Sequence, residues 1–251
     1  MNKTLLATHE DFVNSHRFKI EFWAGEVAEV QLVSYPTDAA RALAVTTKGY
    51  TGNYMNVLDP GEIKPFLQDL KNTKLGTPAE MLNFVFLVRD VPRSFTHQAV
   101  RTRIGAAVVQ ESTRFIGALD TYKVLVPKTA HNGQEVDKAY WAGNVAAITC
   151  YEEMMSNPNV SNQDARNLLP HSMLTHMYWS LTLRALMGIF EVRWCCQAEP
   201  SSWIPVMKQM KQLITESCGA EVADFLSAPI LRNQPCGFNA SFDRECSWKV
   251  R

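Results

Sequence analysis

Three arginines crowd a stretch otherwise made of small apolar residues. Arg101, Arg103 and Arg114 fall within fourteen residues, with Ala106-Ala107-Val108-Val109 between them. Guanidinium forks match phosphate oxygens in a bidentate geometry that an ammonium group does not copy. Gln98, Gln110, Glu111 and Ser112 bracket the same stretch, and amide and hydroxyl groups suit the edge of a base or a sugar hydroxyl. These are the parts of a site for a phosphorylated ligand. They also fit a plainer arrangement, a helix with two surface arginines followed by a strand with a polar end, and composition does not choose between the two.

Other arginines extend the inventory. Arg184 sits in a run, Thr175–Arg193, whose apolar residues fall on two helical stripes: Tyr178, Leu181, Ala185, Ile189, Val192 and Trp179, Leu183, Leu186, Phe190. A helix apolar on two sides is buried. An unpaired charge inside it is very costly, so Arg184 needs a partner, a carboxylate or a bound anion, or must reach solvent. Arg193 ends the same run, where a cation complements the helix dipole. Arg166 precedes Leu168-Leu169-Pro170, a position that surface exposure alone would explain.

Several chemistries drop out. His171 and His176 are five apart with no third ligand nearby, so no metal site is expected. Ser112 lacks the Gly-x-Ser-x-Gly turn of an activated nucleophile. No glycine-rich dinucleotide loop is present, so no Rossmann-type dinucleotide site is expected. The six cysteines, at 150, 195, 196, 218, 236 and 246, form no CxxC pair, which fits reduced thiols in a cytoplasmic protein. With 25 basic and 25 acidic residues in 251, no global basic field favours a nucleic-acid polymer. No apolar run reaches membrane-spanning length, and Met1–Glu10 lacks the apolar core of a secretion signal.

The elements that must position these groups follow from pattern. Residues 1–16 read as a polar arm or frayed end, 17–228 as the folded domain and 229–251 as an irregular tail. Phe18–Phe22 alternates with period two, and Val30–Tyr35, Asn83–Arg89 and Tyr122–Val126 are further extended stretches. Asn83–Arg89 and Ala106–Val109 read as buried. Asp38 caps a helix over Ala39–Thr47, and a short helix covers Glu62–Lys71. A helix from Pro92 is expected to stop near Gly105. On a continuous helix Arg101 and Arg103 would point about 200° apart, so both reach one ligand only if it frays there. Val136–Ser156 is a long helix, Ser161 with Asp164 caps a short one, Thr175–Arg193 is a strong one, and Trp203–Ser217 and Ala220–Ser227 are the last. Strands early and helices late point to an α+β fold, a single domain with a mixed or antiparallel sheet packed by long helices.

The segment 98–115 resembles the signature of the flavin-dependent thymidylate synthases: Arg-His-Arg, seven or eight residues, then Ser-x-Arg-aromatic, with Gln three residues ahead. Here these are Gln98, Arg101-Thr102-Arg103, Ser112 and Thr113-Arg114-Phe115. Thr77-Pro78-x-Glu80, Ala165-Arg166-x-x-Leu169-Pro170 and Leu183-Arg184-Ala185-Leu186 through Val192-Arg193 resemble three more of that family's segments, in order, over about residues 25–225. The resemblance implies a homotetramer with active sites at subunit junctions. It also implies FAD, with NADPH and methylenetetrahydrofolate as co-substrates, and conversion of dUMP to dTMP by one-carbon transfer to C5. Carried over residue by residue, Arg101, Thr102, Arg103 and Arg184 would bind the flavin. Gln98, Gln110, Glu111, Ser112, Arg114, Arg166 and Arg193 would line the pyrimidine nucleoside monophosphate, with Ser112 and Arg193 at the catalytic centre.

The departures gather on the flavin side. Thr102 replaces the signature histidine, and Leu75 and Met81 replace two others. Thr182 and Gly188 stand where asparagines are common, and Gln197 lies near the place of a third histidine. The nucleotide arginines persist. The pattern fits thymidylate synthesis, a variant C5 methyl or hydroxymethyl transferase acting on dCMP or UMP, or a non-catalytic nucleotide-binding relative without flavin.

Overall fold

The computed structural model describes residues 3–53, 59–73, 75–194 and 201–229. The tail expected at 229–251 and the cysteines at 195, 196, 236 and 246 therefore lie outside the described residues, apart from Pro229. The strands are β1 (Thr4–Val13), β2 (His16–Ala24), β3 (Glu29–Ser34), β4 (Asn83–Pro92), β5 (Ala106–Gln110), β6 (Thr121–Leu125) and β7 (Leu174–Thr182). The α-helices are α1 (Ala39–Lys48), α2 (Pro60–Lys71), α3 (Arg93–Ala99), α4 (Lys138–Met155), α5 (Asn162–Ala165), α6 (Leu183–Arg193), α7 (Trp203–Cys218) and α8 (Ala220–Ala223). One sheet has the order β1-β2-β6, antiparallel then parallel, and a second the order β3-β4-β7-β5. This is the α+β class with mixed sheets.

The chain forms two compact units: residues 1–29, 88–99 and 109–177, and residues 30–87, 100–108 and 178–251. Strands β4, β5 and β7 contribute residues to both. In the first unit the period-two pattern of β2 puts Phe18, Ile20 and Phe22 inside, at most 1% exposed. They pack with Tyr122, Val124 and Val126, and with Ile148 and Tyr151 of α4. Burial of these eight aromatic or branched side chains is what orders the sheet, at roughly 1.5–3 kcal/mol each. Asp137 caps α4 by accepting from the amides of Ala139 and Tyr140 at 3.0 Å each. In the second unit Asp38 caps α1 through the Arg41 amide at 3.4 Å, and Trp179 meets Trp203 edge to face, 6.3 Å between centroids.

Four expectations are corrected. Residues 4–13 are no frayed arm but a strand at the sheet edge, paired along its length with β2; an edge strand tolerates the charges that made it look unstructured. The helix expected over Thr175–Arg193 is strand β7 followed by α6. Met177, Trp179 and Leu181 are buried with period two, and Thr182 ends the strand by capping α6 through the Ala185 amide at 3.2 Å. The helix from Pro92 stops at Ala99, well before Gly105. Finally, β4 and β5 are not buried on both faces. In β4 Phe84, Phe86 and Val88 are inside and their neighbours half-exposed, while β5 alternates half-buried with exposed residues.

Candidate functional site

The first unit gathers one set of polar groups. Near the end of β4 the chain takes a left-handed turn at Asp90, φ 53°, a backbone state that costs a non-glycine residue roughly 1–3 kcal/mol and persists only where its surroundings enforce it. Those surroundings are the His176 ring, which accepts from the Asp90 amide at 3.3 Å, and the ammonium groups of Lys3 and Lys123 at 3.4 and 3.5 Å from the carboxylate. Three residues later, Arg93 opens α3. Its backbone amide donates to the Met173 carbonyl at 3.1 Å, and its Nη2 donates to the Glu111 carbonyl at 3.2 Å. Its Nε is buried with no hydrogen-bond partner among the described residues. Burial pushes the Arg93 guanidinium below its usual range, the Glu111 carboxylate pulls it back up, and the charge of Arg166 lowers it again. Two guanidinium groups therefore feel each other in a partly desolvated place, opposed by one carboxylate.

The remaining groups of this unit surround them. Gln110 donates to the Thr96 hydroxyl at 3.0 Å, and Thr175, fully buried, donates to the Glu111 carboxylate at 3.2 Å. Residues 112–116 form a single turn, with the amides of Phe115 and Ile116 returning to the Ser112 carbonyl at 2.9 and 3.3 Å. Arg114 projects from that turn into solvent, its guanidinium carbon 5.8 Å from the Phe115 ring centre. Its carbonyl accepts from Asn162 of α5 at 3.2 Å. Arg166 follows α5, whose Ser161 cap accepts from the Asp164 amide at 3.3 Å. Gln98 lies in α3, one residue beyond His97, which stacks on His171 with centroids 4.9 Å apart.

The second unit holds the other set. Because α3 has ended, Arg101, Thr102 and Arg103 lie on irregular chain, so the expected 200° divergence of a helix does not arise. Arg101 and Arg103 are exposed, and no ion-pair partner faces either among the described residues. The segment is pinned at Gly105, φ +66°. Its carbonyl accepts from the Thr182 amide at 2.8 Å, and a Cβ there would stand 2.3 Å from the Thr182 hydroxyl. Arg184 is not buried as the stripe pattern required. It is the second residue of α6, half-exposed, with its Nη1 donating to Glu80 at 2.6 Å. Its guanidinium lies against Gly76, where a Cβ would come within 3.1 Å of Cζ. Arg193 closes α6 with its guanidinium carbon 4.9 Å from the Trp203 ring centre.

Thus Gln98, Gln110, Glu111, Ser112, Arg114 and Arg166 share the first unit, while Arg101, Thr102, Arg103, Arg184 and Arg193 fall in the second. Arg93, Thr96 and Thr175 were missed by sequence reasoning. For Arg93 a signal existed: a cation in the first turn of a helix opposes the dipole, so its place there calls for another reason. Among the described residues no group of three or more His, Cys, Asp and Glu side chains could hold a metal, and no helix is long and apolar enough to cross a membrane.

Residues 31–218 match the family model described as thymidylate synthase complementing protein. The chain belongs to that family. It is 28% identical over 179 residues to the flavin-dependent thymidylate synthase of Saccharolobus solfataricus, covering 68% of this chain and 66% of that protein. It is 32% identical over 124 residues to the enzyme of the same name from Pyrococcus furiosus, covering 48% and 50%. The chain thus spans slightly under two thirds of the length of the first of these relatives. In fold it is similar to the UMP/dUMP methylase PolB of Streptomyces cacaoi bound with 5-Br dUMP (TM-score 0.65, 19% identity, 80% of this chain and 95% of that one). It is likewise similar to thymidylate synthase X of Helicobacter pylori with FAD and dUMP (TM-score 0.63, 17% identity, 80% and 99%).

Proposed function

We propose that this member of the family binds a pyrimidine nucleoside monophosphate and methylates its base at C5, dUMP to dTMP, with methylenetetrahydrofolate as one-carbon donor and NADPH as reductant. The observation that carries the reading is Arg93, whose buried Nε has no hydrogen-bond partner among the described residues. A partly desolvated guanidinium that also feels the charge of Arg166 is stabilised by an added anion, and a phosphate monoester would supply it. Arg114 adds a third fork. Gln98, Gln110 and Ser112 supply amide and hydroxyl groups for the base and sugar. The names of the relatives support a uracil nucleotide as the ligand.

The residues of the second unit fit a dinucleotide cofactor. Arg101 and Arg103 offer two exposed guanidinium groups without a protein carboxylate, and Arg184 is held by Glu80 with donors to spare. FAD, when bound, would supply the reducing equivalents that turn the transferred carbon into a methyl group. The protein side chains bind and orient. Arginine forks fix the phosphates, and Ser112 holds the nucleotide. Loss of the signature histidine to Thr102 favours, as second reading, a variant acting on dCMP or UMP or delivering a hydroxymethyl group. Ile104, Val109 and Phe115 are 85%, 70% and 85% exposed. Large apolar groups so placed support a homotetramer in which other copies cover them. We assign the protein to the cytoplasm.

The purified protein should be yellow, and its flavin bands should bleach on adding NADPH. A colourless protein that also refuses added FAD overturns the enzyme and leaves the non-catalytic nucleotide binder. Incubation with each pyrimidine monophosphate and the folate donor, followed by mass analysis of the base, then separates a methyl from a hydroxymethyl product and dUMP from UMP or dCMP.

A further inference from the structure

The chain that follows Arg114 is gripped from three elements by one buried cluster in the first unit. At its centre is Glu152 of α4, 2% exposed. One carboxylate oxygen accepts from the Tyr122 hydroxyl of β6, and the other lies 3.1 Å from Nδ1 of His16, in the turn that starts β2. Each of these partners reaches the segment 117–120. The Tyr122 hydroxyl accepts from the Leu119 amide at 3.0 Å. Tyr151, beside Glu152, donates its hydroxyl to the Gly117 carbonyl at 3.0 Å. Nε2 of His16 lies 3.4 Å from the Asp120 carboxylate. Three contacts thus fall on consecutive turns of backbone just downstream of Arg114, whose own carbonyl is fixed by Asn162.

We propose that Glu152 and His16 are positioning residues for the nucleotide site: with Tyr122 and Tyr151 they clamp Gly117–Asp120, and the proton on His16 sets how firmly Arg114 is presented. The inference rests on the reading that Arg114 belongs to that site. A doubly protonated imidazole donates to Glu152 from one nitrogen and to Asp120 from the other. A neutral ring carries one N–H, so its second nitrogen faces a carboxylate lone pair to lone pair and that contact is lost. The groups that face His16 are Glu152 from α4, Tyr122 from β6 beyond it, Asp120 from the preceding turn, and the Phe18 ring of its own strand at 6.3 Å. The hydrogen bond His16 donates to Glu152, then that to Asp120, hold the imidazole above its ordinary value of 6.5 against partial burial. Burial pushes the Tyr122 phenol far above its usual range, with Glu152 adding to the rise, so Tyr122 stays a donor throughout and His16 is the titrating member. A raised histidine stabilises below its unfolded value and ceases to do so as pH rises through the folded one. The clamp is therefore complete at or below the ordinary histidine value and loosens as pH rises through the raised one.

The test titrates dUMP into the whole protein by calorimetry from about pH 6 to about pH 9, across the histidine range. It uses wild type, His16→Gln, Asp120→Asn and Arg114→Ala, and follows hydrogen exchange at the Leu119 amide, corrected for its intrinsic pH dependence. The phosphate's own second ionisation acts alike in all variants, so ratios to wild type are read. In wild type, affinity relative to His16→Gln should fall by roughly fivefold over this range, the low end of site-to-site coupling, and Leu119 protection should fall with it. Asp120→Asn, a change on an exposed side chain, should shrink both effects and keeps the test open if His16→Gln folds poorly. Identical pH profiles of affinity and of Leu119 protection in wild type and both clamp variants overturn the proposal. An Arg114→Ala protein that binds dUMP as wild type does overturns instead the assignment of Arg114, and the Leu119 protection profile still decides the clamp.

Discussion

In the first unit Arg93 meets the Glu111 carbonyl partly away from water and feels the charge of Arg166, with a buried Nε and a left-handed backbone at Asp90 just before it. In the second unit Arg101 and Arg103 stand in solvent, and Arg184 has one carboxylate, itself 42% exposed. The two sets carry the same functional group and differ in what the protein has spent on placing it. A desolvated guanidinium is held in one geometry before any ligand arrives, and its electrostatics act at low effective dielectric. An exposed one is screened by salt and must lose side-chain freedom on binding. The departures from the family signature, Thr102, Leu75 and Met81 among them, fall with the exposed set. The preorganised set is the one that keeps its residues.

That contrast is open to attack from its strongest side first. Arg93→Ala should weaken dUMP binding by about 1.5–3 kcal/mol, the range for a charge-assisted phosphate contact, with flavin content unchanged. Arg114→Ala should cost less than Arg93→Ala, because Arg114 is exposed. Calorimetry with dUMP decides it, and equal affinity in wild type and Arg93→Ala would show that Arg93 is only structural.

Next in size is Gly105→Ala. A residue with a Cβ pays roughly 1–3 kcal/mol for the left-handed backbone, and here the Cβ also strikes the Thr182 hydroxyl at 2.3 Å. Thr182 caps the helix that carries Arg184, so the urea midpoint and the flavin content should fall together. A lowered midpoint with full flavin content would separate the pin at Gly105 from the cofactor site.

These expectations depend on how much of the molecule its sequence disclosed. Of the nucleotide residues read from the sequence, Gln98, Gln110, Glu111, Ser112, Arg114 and Arg166 lie in one unit and Arg193 in the other. What surrounds them was not legible. Arg93 is far less conspicuous than Arg101, since what sets it apart is its partial burial beside Glu111, and burial is a property of the fold. The run Thr175–Arg193 was misread because its apolar residues satisfy a period of 3.6 and a period of two at once. The arbiter was Thr182, a β-branched residue whose hydroxyl serves equally well to end a strand and to cap a helix. The partner of Arg184 could not be guessed locally either, because Glu80 is over a hundred positions away.

The smallest effect sharpens the contrast most. Glu80→Gln removes the one carboxylate that pairs with Arg184 among the described residues. Both side chains are about half-exposed, so stability should change by less than about 1 kcal/mol. The released guanidinium has a clear preference once its counter-charge is gone. It should bind the cofactor phosphates more tightly at low salt, and the gain should vanish at about 1 M salt, where the screening length is roughly 3 Å. Wild-type dUMP affinity, resting on the partly desolvated Arg93, should vary far less over the same salt range. If both affinities decline with the same slope, the two sets of arginines are equally exposed to solvent when loaded, and the difference between them ends at the apo protein.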